Sequence, residues 1–247
     1  MRIPAKSGAP LVIGEADRLF VLTGAGISAE SGIPTFRGQD GLWEGHRIEE
    51  VATPEAFARD PEMVWRFYSM RRAHAARCAP NKGHSALAQL EKKLGDRLMI
   101  CTQNVDGLHE AAGSERVLHM HGQLFQSRCS NGKCNSEPFA DTKCYENKAE
   151  ISKCAECGAL LRPHICWFGE MPFHMEEVNR AIEKCTVSLT IGTSGVVQPA
   201  ASFVLMAAEH GAKTYYVGPE EPANASWFDE VVLGPAGERL PQLLGTG

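Results

Sequence analysis

The 247-residue sequence lacks the features that mark membrane, nucleic-acid-binding and fibrous proteins. No apolar run reaches the ~18 residues that a membrane-spanning helix requires, and neither repeats nor low-complexity tracts are present. Basic residues are not in excess, because 25 Lys and Arg face 30 Asp and Glu, which argues against a general binder of polyanions. Residues 1–10 have no apolar segment of the kind found in signal peptides. We therefore expect a cytoplasmic protein that binds neither nucleic acid nor membranes.

Four short apolar runs, each bounded by turn-forming residues, predict buried strands. The runs are Arg18–Thr23, Leu98–Thr102, Val187–Ile191 and Thr214–Val217. Helical patterns lie between them, over Pro61–Ala76, His84–Leu94, Glu176–Lys184 and Pro199–His210. Strands that alternate with helices predict an α/β fold with a Rossmann-like, doubly wound parallel sheet. In such sheets, ligands bind at the carboxyl ends of the strands.

One segment interrupts this alternation. Residues 123–170 are rich in Cys, Lys, Asn and Glu and poor in apolar runs, so they need a metal or disulfides to hold a fold. The segment contains two cysteine pairs: Cys129 with Cys134, and Cys154 with Cys157. Their C-x4-C and C-x-x-C spacings predict a zinc ribbon with one structural zinc and four thiolate ligands. Cys144 is an alternative to Cys134 as the fourth ligand.

These patterns divide the chain into three parts. We expect a discontinuous Rossmann-like domain made of residues 1–34, 81–122 and 171–247. Residues 35–80 are predicted to be an inserted cofactor-loop and helical segment. Residues 123–170 are predicted to be the inserted zinc-ribbon module.

The first predicted strand ends in a glycine-rich turn, Gly24–Ala29, which fits the pattern G-x-G-x-x-A. Such turns bring backbone N–H groups close to the phosphates of a nucleotide. Dehydrogenases that use this turn also carry an acidic residue at the end of the next strand, about 20 residues further on. Here residues 40–44 have the composition of a loop. The turn therefore indicates a nucleotide site without the ordinary arrangement for hydride transfer.

Amide, carboxylate and imidazole side chains follow the second predicted strand. They belong to Gln103, Asn104, Asp106, His109, His119 and His121. A histidine with a pKa near 6.5 suits proton abstraction at neutral pH. The spacing does not decide which of the three histidines acts as a base.

Taken in order, these motifs resemble the sirtuins, which are NAD-dependent protein lysine deacylases. The shared segments are Gly24–Gly38, Thr102–His109, His119–Gly122, the two cysteine pairs and Ile191–Ser194. The resemblance extends from about residue 19 to residue 244. Three further segments are similar to the bacterial and mitochondrial branch that removes succinyl and malonyl as well as acetyl groups. They are Phe67–Arg71, Leu161–His164 and Trp167–Glu170.

The resemblance implies a set of site residues, with His121 as the general base. NAD would be held by Gly24, Ala25, Gly26, Ser28, Phe36, Arg37, Gln103, Asn104, Asp106, Gly192, Thr193, Ser194, Glu220 and Ala236. An acylated protein segment would add as a strand beside Trp167, Phe168, Gly169, Glu170, Gly195 and Val196. Zinc would be held by Cys129, Cys134, Cys154 and Cys157.

Tyr68 and Arg71 are spaced i, i+3 on a predicted helix, so both side chains project from one face. The resemblance implies that this pair lines the acyl pocket. Arg71 would grip the terminal carboxylate of a succinyl- or malonyl-lysine through two hydrogen bonds, and Tyr68 would donate a third.

The resemblance also implies that NAD is a co-substrate. The acyl oxygen attacks the ribose carbon that carries nicotinamide, and His121 then deprotonates a ribose hydroxyl. The products are free lysine, nicotinamide and O-acyl-ADP-ribose. Many sirtuins hold the adenosine ribose with an Asn-x-Glu triplet, whereas this sequence has Gly218-Pro219-Glu220.

Three alternatives remain from the sequence. The first is a plain lysine deacetylase of the same family. The second is an NAD-dependent dehydrogenase with a structural zinc. The third is a non-catalytic zinc-ribbon adaptor.

Overall fold

The apolar runs of the sequence form the middle of a parallel sheet in a computed structural model, which describes residues 8–35 and 45–246. The strands, in chain order, are β1 (Leu19–Thr23), β2 (Leu98–Thr102), β3 (Val117–His119), β4 (Gly122–Cys129), β5 (Phe139–Ala140), β6 (Leu161–Ile165), β7 (Val187–Ile191), β8 (Lys213–Gly218) and β9 (Glu230–Leu233). Six strands form a sheet in the order β3-β2-β1-β7-β8-β9, with every neighbouring pair parallel. The other three form a small antiparallel sheet in the order β5-β4-β6. The predicted α/β fold with a parallel sheet is confirmed.

Helices flank the parallel sheet and form most of residues 48–75 in the first insertion. They are α1 (Ala25–Ser28), α2 (Ile48–Val51), α3 (Pro54–Arg59), α4 (Pro61–Ala75), α5 (Lys82–Leu94), α6 (Leu108–Ala111), α7 (Met175–Lys184), α8 (Phe203–Glu209) and α9 (Ala236–Leu244). The two longest begin at capping side chains: Asp60 Oδ1 accepts the Met63 N–H for α4, and Asn81 Oδ1 accepts the Gly83 N–H for α5. Such caps satisfy backbone donors that have no partner within the helix. In the described ranges, no helix is long and apolar enough to cross a membrane.

Alternating residues of β1 face opposite layers of helices. Leu19 and Val21 belong to an apolar cluster with α5 and α9, whereas Phe20 and Leu22 belong to a second cluster with α7 and α8. The whole strand is buried, which is typical of parallel strands covered on both faces. Because both faces are covered, a ligand can reach this sheet only at the ends of its strands.

The outermost strands are the part of the sheet that the sequence does not predict. β3 and β9 contain three and four residues, which is too short for a clear two-residue periodicity. Each lies beside a strand that the sequence does predict, β2 and β8 respectively. Their positions therefore depend on tertiary pairing more than on local sequence.

The two inserted segments, residues 35–80 and 123–170, share one apolar core. Trp65 of α4 packs against Tyr145, with ring centroids 4.4 Å apart, and Trp167 belongs to the same cluster. The polar composition of the second segment is compatible with a fold because the first segment supplies much of its apolar surface. The boundaries of the three predicted parts stay a prediction.

Arg72 joins the two inserted segments, although nothing in the sequence sets it apart from its neighbours. Its side chain is 1% exposed. It donates hydrogen bonds to the carbonyl oxygens of Leu124, Lys143 and Gln126 at 2.6–3.0 Å, and it pairs with Asp141 at 3.3 Å. A buried guanidinium requires such partners, since its desolvation would otherwise be costly. Arg72 therefore fixes α4 against β4.

Candidate active site

The carboxyl ends of β1, β2, β7 and β8 open into a cleft of about 740 Å³, a volume typical of small-molecule sites. The second inserted segment forms its opposite wall. The predicted site residues that line it are Gly24, Ala25, Gly26, Tyr68, Arg71, Gln103, Asn104, Asp106, His121, Trp167, Phe168, Gly169, Glu170, Gly192, Thr193, Ser194, Gly195 and Glu220.

The remaining residues of the predicted site, apart from the cysteines, lie elsewhere. Ser28 is fully buried beneath the cleft, and Ala236 is buried in the apolar cluster of α5 and α9. Val196 is exposed at the surface. Phe36 and Arg37 lie outside the described residues.

Two backbone turns touch at one end of the cleft. The Gly26 N–H donates to the Gly192 oxygen at 2.9 Å, which joins the turn after β1 to the turn after β7. A Cβ on Gly26 would lie 2.6 Å from the Gly192 Cα, and a Cβ on Gly192 would lie 2.5 Å from the Ile27 nitrogen. Gly192 also has a φ of +63°, which favours glycine. The turns therefore present backbone to the cleft at a spacing that side chains would prevent.

A buried polar network holds the segment after β2 against the first glycine turn. Ser28 Oγ donates to Asp106 Oδ2 at 2.8 Å, and Asp106 Oδ1 accepts the Leu108 N–H at 2.9 Å. Asn104 Nδ2 donates to the Gly24 oxygen at 3.0 Å and lies 3.2 Å from Ser28 Oγ. These bonds fix the orientations of Asn104 and Asp106 in the cleft wall. Ser28 thus supports the site from beneath.

The structure separates the three candidate histidines. His109 is 1% exposed and lies 2.9 Å from Thr23 Oγ1, and burial lowers its pKa to about 3. His119 is buried and contacts the Glu110 carboxylate. His121 lines the cleft. Of the three, His121 is therefore the histidine placed to meet a ligand.

His121 is held as a neutral base. Its Nδ1 lies 3.2 Å from the Gln103 carbonyl oxygen, an acceptor that requires the proton on Nδ1 and leaves Nε2 as the basic nitrogen. Burial lowers the pKa of His121, and the hydrogen bond to Gln103 opposes this effect only in part. The imidazole is therefore neutral at pH 7.

On the side of α4, the cleft is lined by a cation, Arg71, and by Tyr68, whose side chain is buried. The Tyr68 oxygen accepts the Trp167 Nε1–H at 3.0 Å. Burial raises the pKa of Tyr68 to about 12, so the hydroxyl keeps its own proton. Arg71, one turn further along α4, lines the same cleft and lies with its guanidinium 5.9 Å from the Phe67 ring. The pair is suited to an anionic group.

The Glu170 carboxylate holds neighbouring residues of the cleft wall in place. It accepts two hydrogen bonds from Arg162, at 2.6 and 2.9 Å, and lies 3.2 Å from Arg128. It also accepts the Trp167 N–H at 2.8 Å. The sequence motifs assign no role to either arginine: Arg162 occurs only within the segment Leu161–His164, and Arg128 is distant from Glu170 along the chain and leaves no periodic signal. Their effect is to fix residues 167–170.

The structure brings another side chain into the cleft that the motifs do not predict. Tyr216 lines the cleft near the glycine turns, and its hydroxyl donates to the Thr193 oxygen at 3.1 Å. In the sequence Tyr216 is an ordinary strand residue. Only the position of β8 beside β7 shows that its hydroxyl reaches the site.

Four cysteines converge next to the small sheet. They are Cys129, Cys134, Cys154 and Cys157, and their Sγ atoms lie within 4.8 Å of one another. The Cys129–Cys157 and Cys134–Cys154 Sγ distances are 3.4 and 3.8 Å, close to the ~3.8 Å edge of a zinc–thiolate tetrahedron with ~2.3 Å bonds. Cys144 instead lies with its Sγ 3.5 Å from the Ser69 oxygen. The donor set therefore fits a structural zinc without Cys144.

Comparison with known proteins agrees with this combination of an α/β sheet, a glycine-turn cleft and a cysteine cluster. The Sir2 family model matches residues 24–199. A relative named NAD-dependent protein deacylase, from Pasteurella multocida (strain Pm70), is 51% identical over 234 residues, which are 92% of this chain and 96% of the relative. Another of that name, from Salmonella typhimurium, is 47% identical over 93% of this chain and 84% of the relative.

Solved structures show the same fold. A Sir2 homologue in complex with NAD has a TM-score of 0.83 and 43% identity, over 93% of this chain and 89% of that chain. A mutant Sir2 homologue in complex with ADP-ribose has a TM-score of 0.84 and 44% identity, over 92% and 90%. The fold and site thus define a Sir2-type α/β protein. The chain belongs to the Sir2 family, the sirtuins.

Replacing single cysteines should distinguish the two ligand assignments. Cys134→Ser should lose most of the bound zinc and lower the unfolding temperature, because only three thiolates remain. Cys144→Ser is the matched control and should keep about one zinc per chain. Elemental analysis of the purified proteins, with thermal unfolding, measures both. Zinc loss in Cys144→Ser and retention in Cys134→Ser would show that the ligand set is wrong.

Proposed function

We propose that the protein removes acyl groups from lysine side chains of other proteins in a reaction that consumes NAD. The observation that carries this proposal is the position of His121. It lies in the same cleft as the glycine turns and as Tyr68 and Arg71. The cleft thus combines a nucleotide cradle, a neutral base and a pocket for an acyl chain.

The residues of the cleft fit NAD. Gly24–Gly26 and Gly192–Ser194 would face its phosphates and adenosine-side ribose, because their backbones approach without intervening side chains. Gln103, Asn104 and Asp106 would hold the nicotinamide riboside. When bound, NAD supplies the ribose carbon that accepts the acyl oxygen and the nicotinamide leaving group.

In this proposal His121 removes a proton from a ribose hydroxyl. Its Nε2 is free to accept that proton, because Nδ1 is held by the Gln103 carbonyl. The balanced reaction converts acyl-lysine, NAD and water into lysine, nicotinamide and O-acyl-ADP-ribose. Apolar residues of the wall, including Ile33 and Trp167, limit the access of water to the reacting groups.

Protein substrates follow from the names of the relatives, and we extend this to acylated lysines presented on an extended segment. Phe168 and Val196 are both exposed, and we place the segment as an added strand between them. The pairing of Glu170 with Arg162 keeps one side of this groove rigid. A cytoplasmic location remains a prediction from the sequence.

We further propose that succinyl and malonyl groups are accepted as well as acetyl. Both acidic groups end in a carboxylate, which Arg71 and Tyr68 would bind through charge-assisted hydrogen bonds. The high pKa of Tyr68 keeps its hydroxyl a donor across the physiological pH range. An acetyl group is too short to reach this pair.

Product analysis tests the activity. The protein is incubated with NAD and matched acetyl, malonyl and succinyl peptides, and the products are identified by mass spectrometry. The proposal requires free lysine peptide, nicotinamide and O-acyl-ADP-ribose in equal amounts. NADH without deacylated peptide would instead identify a dehydrogenase, and unchanged NAD would favour a binding module.

His121→Ala should lower the deacylation rate by at least ~10², the scale typical for loss of a general base. Its zinc content should not change, because His121 lies outside the cysteine cluster. In the parent protein, the rate should fall on acidification only below pH 6.5, since burial lowers the pKa of His121 from that value. Steady-state rates from pH 5 to 8 measure this decrease. An active His121→Ala variant together with an inactive His119→Ala variant would contradict the assignment.

Arg71→Met should weaken kcat/KM for succinyl peptides by about tenfold or more, since charged hydrogen bonds contribute ~1.5–3 kcal/mol each. Turnover of the acetyl peptide should change little. Arg66→Met is the matched control, because Arg66 is exposed on the same helix. Equal losses on both peptides would show that Arg71 supports only the fold, and the protein would then be a plain deacetylase.

A further inference from the structure

Tyr216 and Gly218 are alternate residues of β8 and therefore project from the same face of the sheet. A Cβ built on Gly218 would overlap the Tyr216 hydroxyl and would lie 2.7 Å from Tyr216 Cζ. The phenol of Tyr216 thus occupies the space that a side chain at position 218 would need. A residue larger than glycine cannot enter there unless Tyr216 moves or is replaced.

The Tyr216 hydroxyl is built into the wall of the cleft. Tyr216, Thr193 and Glu220 all line it. The ring packs on Phe228, with centroids 5.5 Å apart, and the hydroxyl donates to the Thr193 oxygen at 3.1 Å. These contacts hold the phenol in one position.

The hydroxyl is suited to accept a hydrogen bond from a ligand. Burial, with a smaller contribution from the Glu220 carboxylate, raises the pKa of Tyr216 to about 12, so the phenol stays neutral. Its single proton is directed to Thr193. The oxygen retains lone-pair capacity, and a sugar hydroxyl is a donor of the required kind.

We propose that the Tyr216 oxygen accepts a hydrogen bond from a hydroxyl of the adenosine ribose of NAD. This takes the place of the contact that the Asn of an Asn-x-Glu triplet would make from position 218. The proposal rests on the proposed function for the identity of the nucleotide. It predicts that positions 216 and 218 change together. Glycine at 218 goes with tyrosine at 216, whereas asparagine at 218 requires a smaller residue at 216.

Binding of ADP-ribose, measured by calorimetry, tests the contact without turnover. Tyr216→Phe should bind ADP-ribose about three- to tenfold more weakly than the parent, the scale of one net hydrogen bond. Tyr215→Phe is the matched control. It removes a hydroxyl from the neighbouring residue, which belongs to the apolar cluster on the other face of the sheet, and it should bind like the parent.

Deoxy analogues separate a direct contact from support of the turn. ADP-ribose lacking the 2′- or the 3′-hydroxyl of the adenosine ribose is titrated into parent and Tyr216→Phe. For one of the two analogues, Tyr216→Phe should bind as tightly as the parent does, because the hydroxyl that would contact Tyr216 is already missing. Additive losses with both analogues would overturn the proposal and leave Tyr216 as an anchor for Thr193. Equal ADP-ribose affinity of parent and variant would overturn it as well.

The exchange supplies an independent check. Gly218→Asn alone should weaken ADP-ribose binding because its side chain overlaps Tyr216. Tyr216→Val combined with Gly218→Asn should regain at least part of that affinity, and no recovery would count against the exchange. If the binding results hold while no deacylated peptide forms, the proposed function fails and the assignment of Tyr216 stands.

Discussion

The cleft depends on the contact between Gly26 and Gly192. One hydrogen bond and a backbone approach that excludes any Cβ join the turns after β1 and β7. These are adjacent strands of the sheet, so their turns meet at its carboxyl edge. Because the turns touch, their backbone groups form one surface. Backbone N–H groups there can donate hydrogen bonds to a nucleotide without side chains in between. The polar network around Ser28 then fixes the Asn104 amide and the Asp106 carboxylate beside these turns.

The positions of Tyr68 and Arg71 depend on the contact between the two inserted segments. Arg72 locks α4 to β4, and the bond between Tyr68 and Trp167 joins α4 to the wall that Arg162 and Glu170 stiffen. Cys129 of the cysteine cluster is the last residue of β4 in the same small sheet. The cysteines are thus connected through β4 to the helix that carries Tyr68 and Arg71. In this account a bound zinc acts on the reaction only by holding the wall in place.

The sequence predicts the central strands and the glycine turn because their signals are local. Runs of buried apolar residues and a G-x-G turn require no knowledge of distant partners. Arg72 gives no such signal, since an arginine on an amphipathic helix is ordinarily exposed, and its burial follows from carbonyl groups far along the chain. Tyr216 gives no local signal either, because its hydroxyl reaches the cleft only through the pairing of β8 with β7. Among the histidines, spacing leaves three candidates, and burial separates them.

ADP-ribose binding by Gly26→Ala tests the central constraint most directly. The added methyl would lie 2.6 Å from the Gly192 Cα, so the two turns must separate. Gly132→Ala is the control, because a Cβ there meets nothing within 4 Å. We predict that the parent and the control bind ADP-ribose alike, while Gly26→Ala keeps its zinc and binds at least about tenfold more weakly, ~1.4 kcal/mol. Unchanged affinity in Gly26→Ala would contradict the account.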